Sequence, residues 1–222
     1  RNAVRLSALM KIPNIFLYTQ DSIALGEDGP THQPVEHLVT LRSTPNLNNW
    51  RPADLVETAV SWKNAVTSKD APTALIFSRQ NTFPIARSNN QITDIEKGGY
   101  LLREDKDAQV TLIASGSELQ LTLDAAEKLA EDGIVANVVS MPCLDIFLEN
   151  SKEYQSSVIK LNLPILVVEL AHPNSWYKLL NKNDKVLGIE TFGESAPAGV
   201  LLEHFGFTVP NVVDMAKSLV DE

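Results

Sequence analysis

At 222 residues, with 44% hydrophobic and 21% charged side chains, the chain has the composition of a globular protein with enough apolar mass for one or two cores. A formal net charge of -9 argues against a dedicated nucleic-acid or anionic-membrane surface, which would need a surplus of Lys and Arg, but leaves room for a local cluster of donors that binds a small anion. The single cysteine, Cys143, cannot form an internal disulfide and fits a reducing cytoplasmic setting, and no apolar run approaches the length of a membrane span.

In chain order, residues 1–11 read as an amphipathic helix with Val4, Leu6, Leu9 and Met10 as its apolar positions. No capping residue precedes Arg1, so the chain reads as a piece of something longer. The apolar run 15–18 after Pro13 predicts a buried strand, followed by a polar loop with Gly and Pro over 19–33. Pro34 opens a predicted helix to about residue 41, because proline is tolerated in a first turn and Val35, Leu38 and Val39 form one face. Residues 49–52 fit a strand end, Asp54 caps a helix to about residue 66, and 73–77 is a second buried strand. This alternation predicts a parallel sheet with helical crossovers.

Periodicity lapses over 81–99, where Pro84, Asn89-Asn90 and Gly98-Gly99 predict an irregular linker. Beyond it, 110–114 is a strand and 117–132 a helix patterned by Leu119, Leu121, Leu123, Ala126 and Leu129 and stopped by Gly133. Strands are expected at 135–139, 165–168 and 186–189, and helices near 152–161, 196–205 and 212–220. The expected class is α/β: two doubly wound, mainly parallel-sheet units over 1–85 and 99–222, joined by a linker at 86–98.

The segment 21–34 follows a strand's carboxyl end, where open α/β sheets place their ligands. Gly26, Gly29 and Pro30 give it a tight backbone, while Asp28 and His32 supply a carboxylate and an imidazole. Two readings stand side by side: a pair that binds sugar hydroxyls and moves protons, or an ordered connector in which Asp28 makes a turn bond and His32 is a surface histidine. Arg79 ends the second strand on the same sheet edge, where its planar fork suits a phosphate or a surface ion pair. In Ser115-Gly116-Ser117-Glu118 the expected role of Ser115 or Ser117 is to cap the following helix. Thr191 to Pro197 reads as a loop feeding a helix. Cys143 is expected to be buried and inert, and the spacings of His32, His37, His172 and His204 supply no metal set.

The run Gly26-Glu27-Asp28-Gly29-Pro30-Thr31-His32-Gln33-Pro34-Val35-Glu36 resembles the long signature of transketolases. The resemblance continues through Trp50-Arg51-Pro52-Ala53, Ser78-Arg79-Gln80-Asn81, Gly98-Gly99-Tyr100, Ala114-Ser115-Gly116-Ser117-Glu118 and Thr191 to Ala198, and so covers essentially the whole chain. It implies the end of a pyrimidine-binding domain (1–85), a linker (86–98) and the family's carboxy-terminal domain (99–222). It further implies transfer of a two-carbon ketol unit between sugar phosphates, with thiamine diphosphate and a divalent cation, Mg or Ca, in a homodimeric cytoplasmic enzyme. By the resemblance His32 assists proton movements at the reacting carbonyl and contacts substrate, Asp28 recognises a substrate hydroxyl, and Arg79 grips the substrate phosphate.

Gln20 stands where such proteins commonly have a histidine that helps hold the phosphate; an amide still donates a hydrogen bond but carries no charge. The glutamate that activates the thiamine ring, the aromatic residues stacked on it and the diphosphate and metal site all belong upstream of Arg1. No cofactor or metal ligand is therefore expected in this chain, which is expected to be inactive alone. Two other readings are a non-catalytic α/β scaffold or dimerisation module and a ketol transferase with a different acceptor, like dihydroxyacetone synthase.

Overall fold

The structure, a computed structural model, describes residues 1–221. Helix α1 (Asn2–Leu9) leads to β1 (Ile15–Asp21), and α2 (His37–Arg42) to the short β2 (Asn48–Trp50). Then come α3 (Leu55–Thr67) and β3 (Thr73–Ser78). These strands form a parallel sheet in the order β1-β3-β2, with Leu75 of β3 beside Leu17 on one side and Trp50 on the other.

Helix α4 (Asn89–Asp94) leads into a second sheet built from β4 (Tyr100–Arg103), β5 (Val110–Ala114), β6 (Ala136–Ser140), β7 (Ile165–Val168) and β8 (Lys185–Leu187). Its order is β4-β6-β5-β7-β8, parallel except for β4. The helices are α5 (Glu118–Glu131), α6 (Leu144–Glu149), α7 (Lys152–Val158), α8 (Ala198–His204) and α9 (Val209–Val220). The fold is thus α/β with two mainly parallel sheets, as the alternating pattern implies.

Burial explains the regular elements. All five residues of β5 and all four of β7 are buried, the signature of a central parallel strand covered on both faces. On α5, Leu119, Leu123, Ala126 and Leu129 are buried at helical spacing, and Gly133 follows at φ 81, a left-handed turn that glycine adopts without strain. Asp54 caps α3, accepting the Glu57 amide at 3.1 Å.

Three expectations need correction. Residues 15–18 do form a strand, but among the described strands β1 lies at the sheet edge: Phe16 packs against the core and Asp21 is buried, while Leu17 is 50% exposed. In α1 the buried positions are Val4, Ser7 and Ala8, whereas Leu6, Leu9 and Met10 are exposed. The stretch expected to be irregular contains α4, started by a capping box in which Ser88 and Gln91 exchange side-chain and backbone hydrogen bonds. A six-residue helix shows no useful apolar period, so only the Ser88–Gln91 spacing could have revealed it.

Buried polar contacts join the sheets. Arg87, from the connection, pairs with Asp54 at 2.6 Å and Glu57 at 3.2 Å, both on the α3 side. Glu57 also accepts from Tyr100 of β4 at 2.7 Å and Ser140 of β6 at 2.6 Å. Asn49 of β2 donates its amide and its side chain to Asp145 of α6 at 3.0 and 2.9 Å. Burial pushes the Asp145 carboxyl above the ordinary carboxylate range, opposed by the Asn49 donors and the charge of Arg42.

Candidate functional site

Parallel pairing of β1 with β3 brings Asp21 opposite Ser78, so the loop that leaves β1 and the Arg79 that leaves β3 emerge at one sheet edge. There Arg79 Nη1 lies 3.0 Å from Asp28 Oδ2, in an ion pair with both side chains about half exposed. Gln20 and His32 line a cleft of ≈ 750 Å³ together with Tyr18, Asp21 and Phe192. Arg79 instead lines a second groove of ≈ 390 Å³ with Ser78 and Gln80. The four expected residues therefore occur as two pairs: Gln20 with His32 in the cleft, and Asp28 with Arg79 beside it in the same loop system.

The loop is held by buried anchors. Gln33 is 3% exposed and donates to Gly26 O at 2.8 Å and to Glu194 O at 2.9 Å, which clamps the loop on itself and on the segment before α8. Gly29 sits at φ 79, and a Cβ there would lie 2.1 Å from Ser195 Oγ. Gly29→Ala is expected to cost about 1–2 kcal/mol from the left-handed backbone alone, read as a lower urea midpoint. Adding Ser195→Gly should recover only the steric part of the loss. The Thr31 hydroxyl lies 2.9 Å from His32 Nδ1, so among the described residues Nε2 has no hydrogen-bond partner and is the ring nitrogen open to an outside group.

Beneath the loop, Arg51 and Arg42 are buried against carboxylates. Arg51 donates Nε to Asp21 Oδ2 at 2.8 Å, with Nη2 2.6 Å from the same oxygen, and its Nη1 lies 2.7 Å from Glu118 Oε1. Arg42 makes a two-pronged pair with Glu169 at 2.7 and 2.9 Å. Burial pushes the Glu118 carboxyl up, opposed by the Arg51 charge. Burial acts the same way on Glu169, but Arg42 and Arg51 outweigh it and hold that carboxyl below its ordinary value.

The helix-capping expectation for Ser115 and Ser117 fails: no side chain caps α5. The Ser115 hydroxyl instead donates to Glu169 at 2.9 Å, and Ser117 donates to Glu118 at 2.9 Å. Cys143 is buried, and burial raises its thiol far above the reactive range. Two features of the cleft were absent from the sequence reading. Arg1, just before α1, and Arg5 on it both line the cleft, which their four-residue spacing could have signalled, and Phe192 arrives from the far end of the chain.

Residues 1–84 match the family described as the transketolase pyrimidine binding domain, and residues 98–208 match the transketolase-like C-terminal domain. Transketolase 1 of Vibrio parahaemolyticus is 52% identical over 99% of this chain, which covers 33% of that relative. Transketolase of Buchnera aphidicola is 49% identical with the same coverage. Among solved structures, a transketolase of Pichia stipitis in complex with sedoheptulose 7-phosphate superposes with a TM-score of 0.94 at 41% identity, over 99% of this chain and 32% of that one. A split-gene transketolase, described as an inactive beta4 tetramer, shares the fold at a TM-score of 0.72 and 24% identity, over 93% of this chain and 67% of that one. The chain spans about a third of the length of the curated relatives it matches, 33% for the first of them. With both domain families matched in order along its length, the chain belongs to the transketolase family.

Proposed function

We propose that this chain supplies the sugar-phosphate side of a thiamine diphosphate-dependent transketolase, which moves a two-carbon ketol unit from a ketose phosphate to an aldose phosphate. The observation that carries the reading is the convergence of the 26–36 loop with the end of β3, where Asp28 and Arg79 meet at 3.0 Å next to the cleft lined by Gln20 and His32. In this reading residues 1–85 belong to the pyrimidine-binding domain, 86–98 to the linker and 99–222 to the carboxy-terminal domain, and the whole enzyme is a cytoplasmic homodimer. No helix among the described residues is long and apolar enough to cross a membrane.

Each residue's part follows from its chemistry. His32, through Nε2, takes or returns a proton at the oxygen of the reacting carbonyl or hydroxyl. Arg79 presents a fork that matches phosphate oxygens, and a phosphate there displaces the exposed Asp28 carboxylate, which is then free to accept from a sugar hydroxyl. Gln20 donates a neutral hydrogen bond to the same phosphate, which makes for weaker retention than a cation would.

The cleft's lining includes the cations Arg1 and Arg5, which suit an anion, but its carboxylates are not arranged for a divalent cation. Asp21 is committed to Arg51, and among the described residues no three His, Cys, Asp or Glu side chains converge as a metal set. By the family resemblance the cofactor's ligands are placed on residues outside this chain, and the isolated chain is expected to be inactive.

The test is ketol transfer from xylulose 5-phosphate to ribose 5-phosphate with thiamine diphosphate and magnesium, comparing this chain alone with the chain joined to the remaining two thirds of the family's length. Activity should appear only in the combined protein. There Arg79→Ala should raise KM for the phosphorylated ketose about 10–100-fold while changing little for an unphosphorylated one. A folded, assembled but inactive combination would leave the scaffold reading ahead, and use of a non-sugar-phosphate acceptor would favour the dihydroxyacetone synthase-like one.

A further inference from the structure

Strands β5 and β7 lie side by side in parallel, but the chain leaves them in opposite directions: β5 leads through α5 to β6 on one flank, and β7 leads to β8 on the other. A reversal of this kind opens a crevice at the strands' carboxyl ends, where doubly wound sheets bind their ligands. In this chain the crevice holds a side chain from the first sheet. Arg51, 1% exposed, follows β2 and donates Nη1 to Ser115 O at 2.8 Å and Ser115 Oγ at 3.1 Å, directly after β5. The same Nη1 lies 2.7 Å from Glu118 Oε1, and that oxygen also accepts the Leu170 amide just beyond β7. Gly116 sits at φ 62, and a Cβ there would lie 2.9 Å from Arg51 Cζ, so a side chain at this position would crowd the guanidinium.

Arg42 enters from the neighbouring side. It pairs with Glu169 at the end of β7, and its guanidinium stacks 5.2 Å over Trp176, whose Nε1 donates to the same carboxylate at 2.8 Å. Both arginines are linked to the substrate-facing loop. Arg51 grips Asp21, the residue after Gln20, and Arg42 ends the helix that follows His32. The two ends of the loop thus converge on one crevice of the second sheet.

We propose that this crevice is a guanidinium-binding site occupied by Arg51 and Arg42 of the chain itself, and that the second sheet uses it to hold the loop carrying Gln20, Asp28 and His32, making Arg51 and Glu118 positioning residues. Only the consequence for substrate rests on the sugar-phosphate reading; the site itself does not. Emptied of the Arg51 side chain, the crevice takes a free guanidinium ion, because Asp21, Glu118 and Ser115 O remain as its acceptors.

The experiment uses the full chain, alone and combined with the rest of the enzyme, as wild type, Arg51→Ala, Arg51→Lys and Glu118→Gln. Hydrogen exchange of the amides in 20–33 should quicken about tenfold or more in Arg51→Ala, and guanidinium chloride far below unfolding concentrations should reverse it saturably, which matched potassium chloride should not. In the combined enzyme the same variant should raise KM for the phosphorylated ketose about tenfold or more, with guanidinium rescue. Should Arg51→Ala fail to fold, Arg51→Lys and Glu118→Gln carry the test, with faster exchange confined to 20–42. Unchanged loop exchange in a folded variant or equal rescue by potassium would overturn the site, and rescued exchange with unchanged KM would overturn its positioning role for substrate. An inactive wild-type combination with guanidinium-rescued exchange would refute the sugar-phosphate reading and uphold the site.

Discussion

Replacing His32 by alanine in the assembled enzyme is expected to lower kcat about 10²–10⁴-fold, the usual contribution of a positioned general acid–base group. The side chain is exposed, and among the described residues its one hydrogen bond is to its neighbour Thr31. The substitution should therefore change unfolding stability by no more than about 0.5 kcal/mol. That separation is what distinguishes a proton-transfer role from a structural one. Single-turnover and steady-state ketol transfer, set beside a urea melt of the same variant, measure both. Equal kcat in the variant and the wild type would remove His32 from the chemistry and return it to the status of a loop residue.

The largest stability effect is expected at Arg87. Its side chain is 1% exposed and faces Asp54 and Glu57, themselves 2% and 0% exposed. Its Nε also donates to Tyr100 at 2.6 Å. Arg87→Met keeps the volume but strands two buried carboxylates, so the loss should be about 3–5 kcal/mol, a large part of the ~5–15 kcal/mol that holds a domain folded. The urea midpoint should fall accordingly. Glu57→Gln in the Arg87→Met background should recover part of the loss, because an amide oxygen can still accept from Tyr100 and Ser140 without carrying charge. A single-variant loss below about 1 kcal/mol would mean that water or a relaxed backbone reaches the carboxylates.

Because the Asp54–Glu57–Arg87 cluster spans α3, the connection and the second sheet, its loss should unfold both sheets in one transition. The Arg51 and Arg42 pairs reinforce this coupling with further buried contacts to the second sheet. The Arg51–Asp21 pair ties the start of the signature loop to the second sheet, and the loop's exposed residues are left to meet a ligand.

Much of this organisation can be read from the residues in order. The apolar runs at 110–114 and 165–168, the spacing of Leu119, Leu123, Ala126 and Leu129, the stop at Gly133 and the cap at Asp54 all reflect interactions within a turn or two of chain, and they specify their elements locally. The loop motif around Asp28 and His32, and Arg79 at the end of the next strand, likewise identify a candidate site from position alone, because a parallel sheet brings successive strand ends to one edge. Tertiary structure decided the rest: that β1 is an exposed edge, that the Ser115 hydroxyl serves Glu169 and not a helix end, that Phe192 reaches the cleft, and that Arg51 fills the switch-point crevice. Those partners lie 30 to 127 residues apart in Arg51–Asp21 and Arg42–Glu169. No periodicity or cap carries that information, because a buried charge finds its counter-charge through the packing of sheets, which only the folded topology sets.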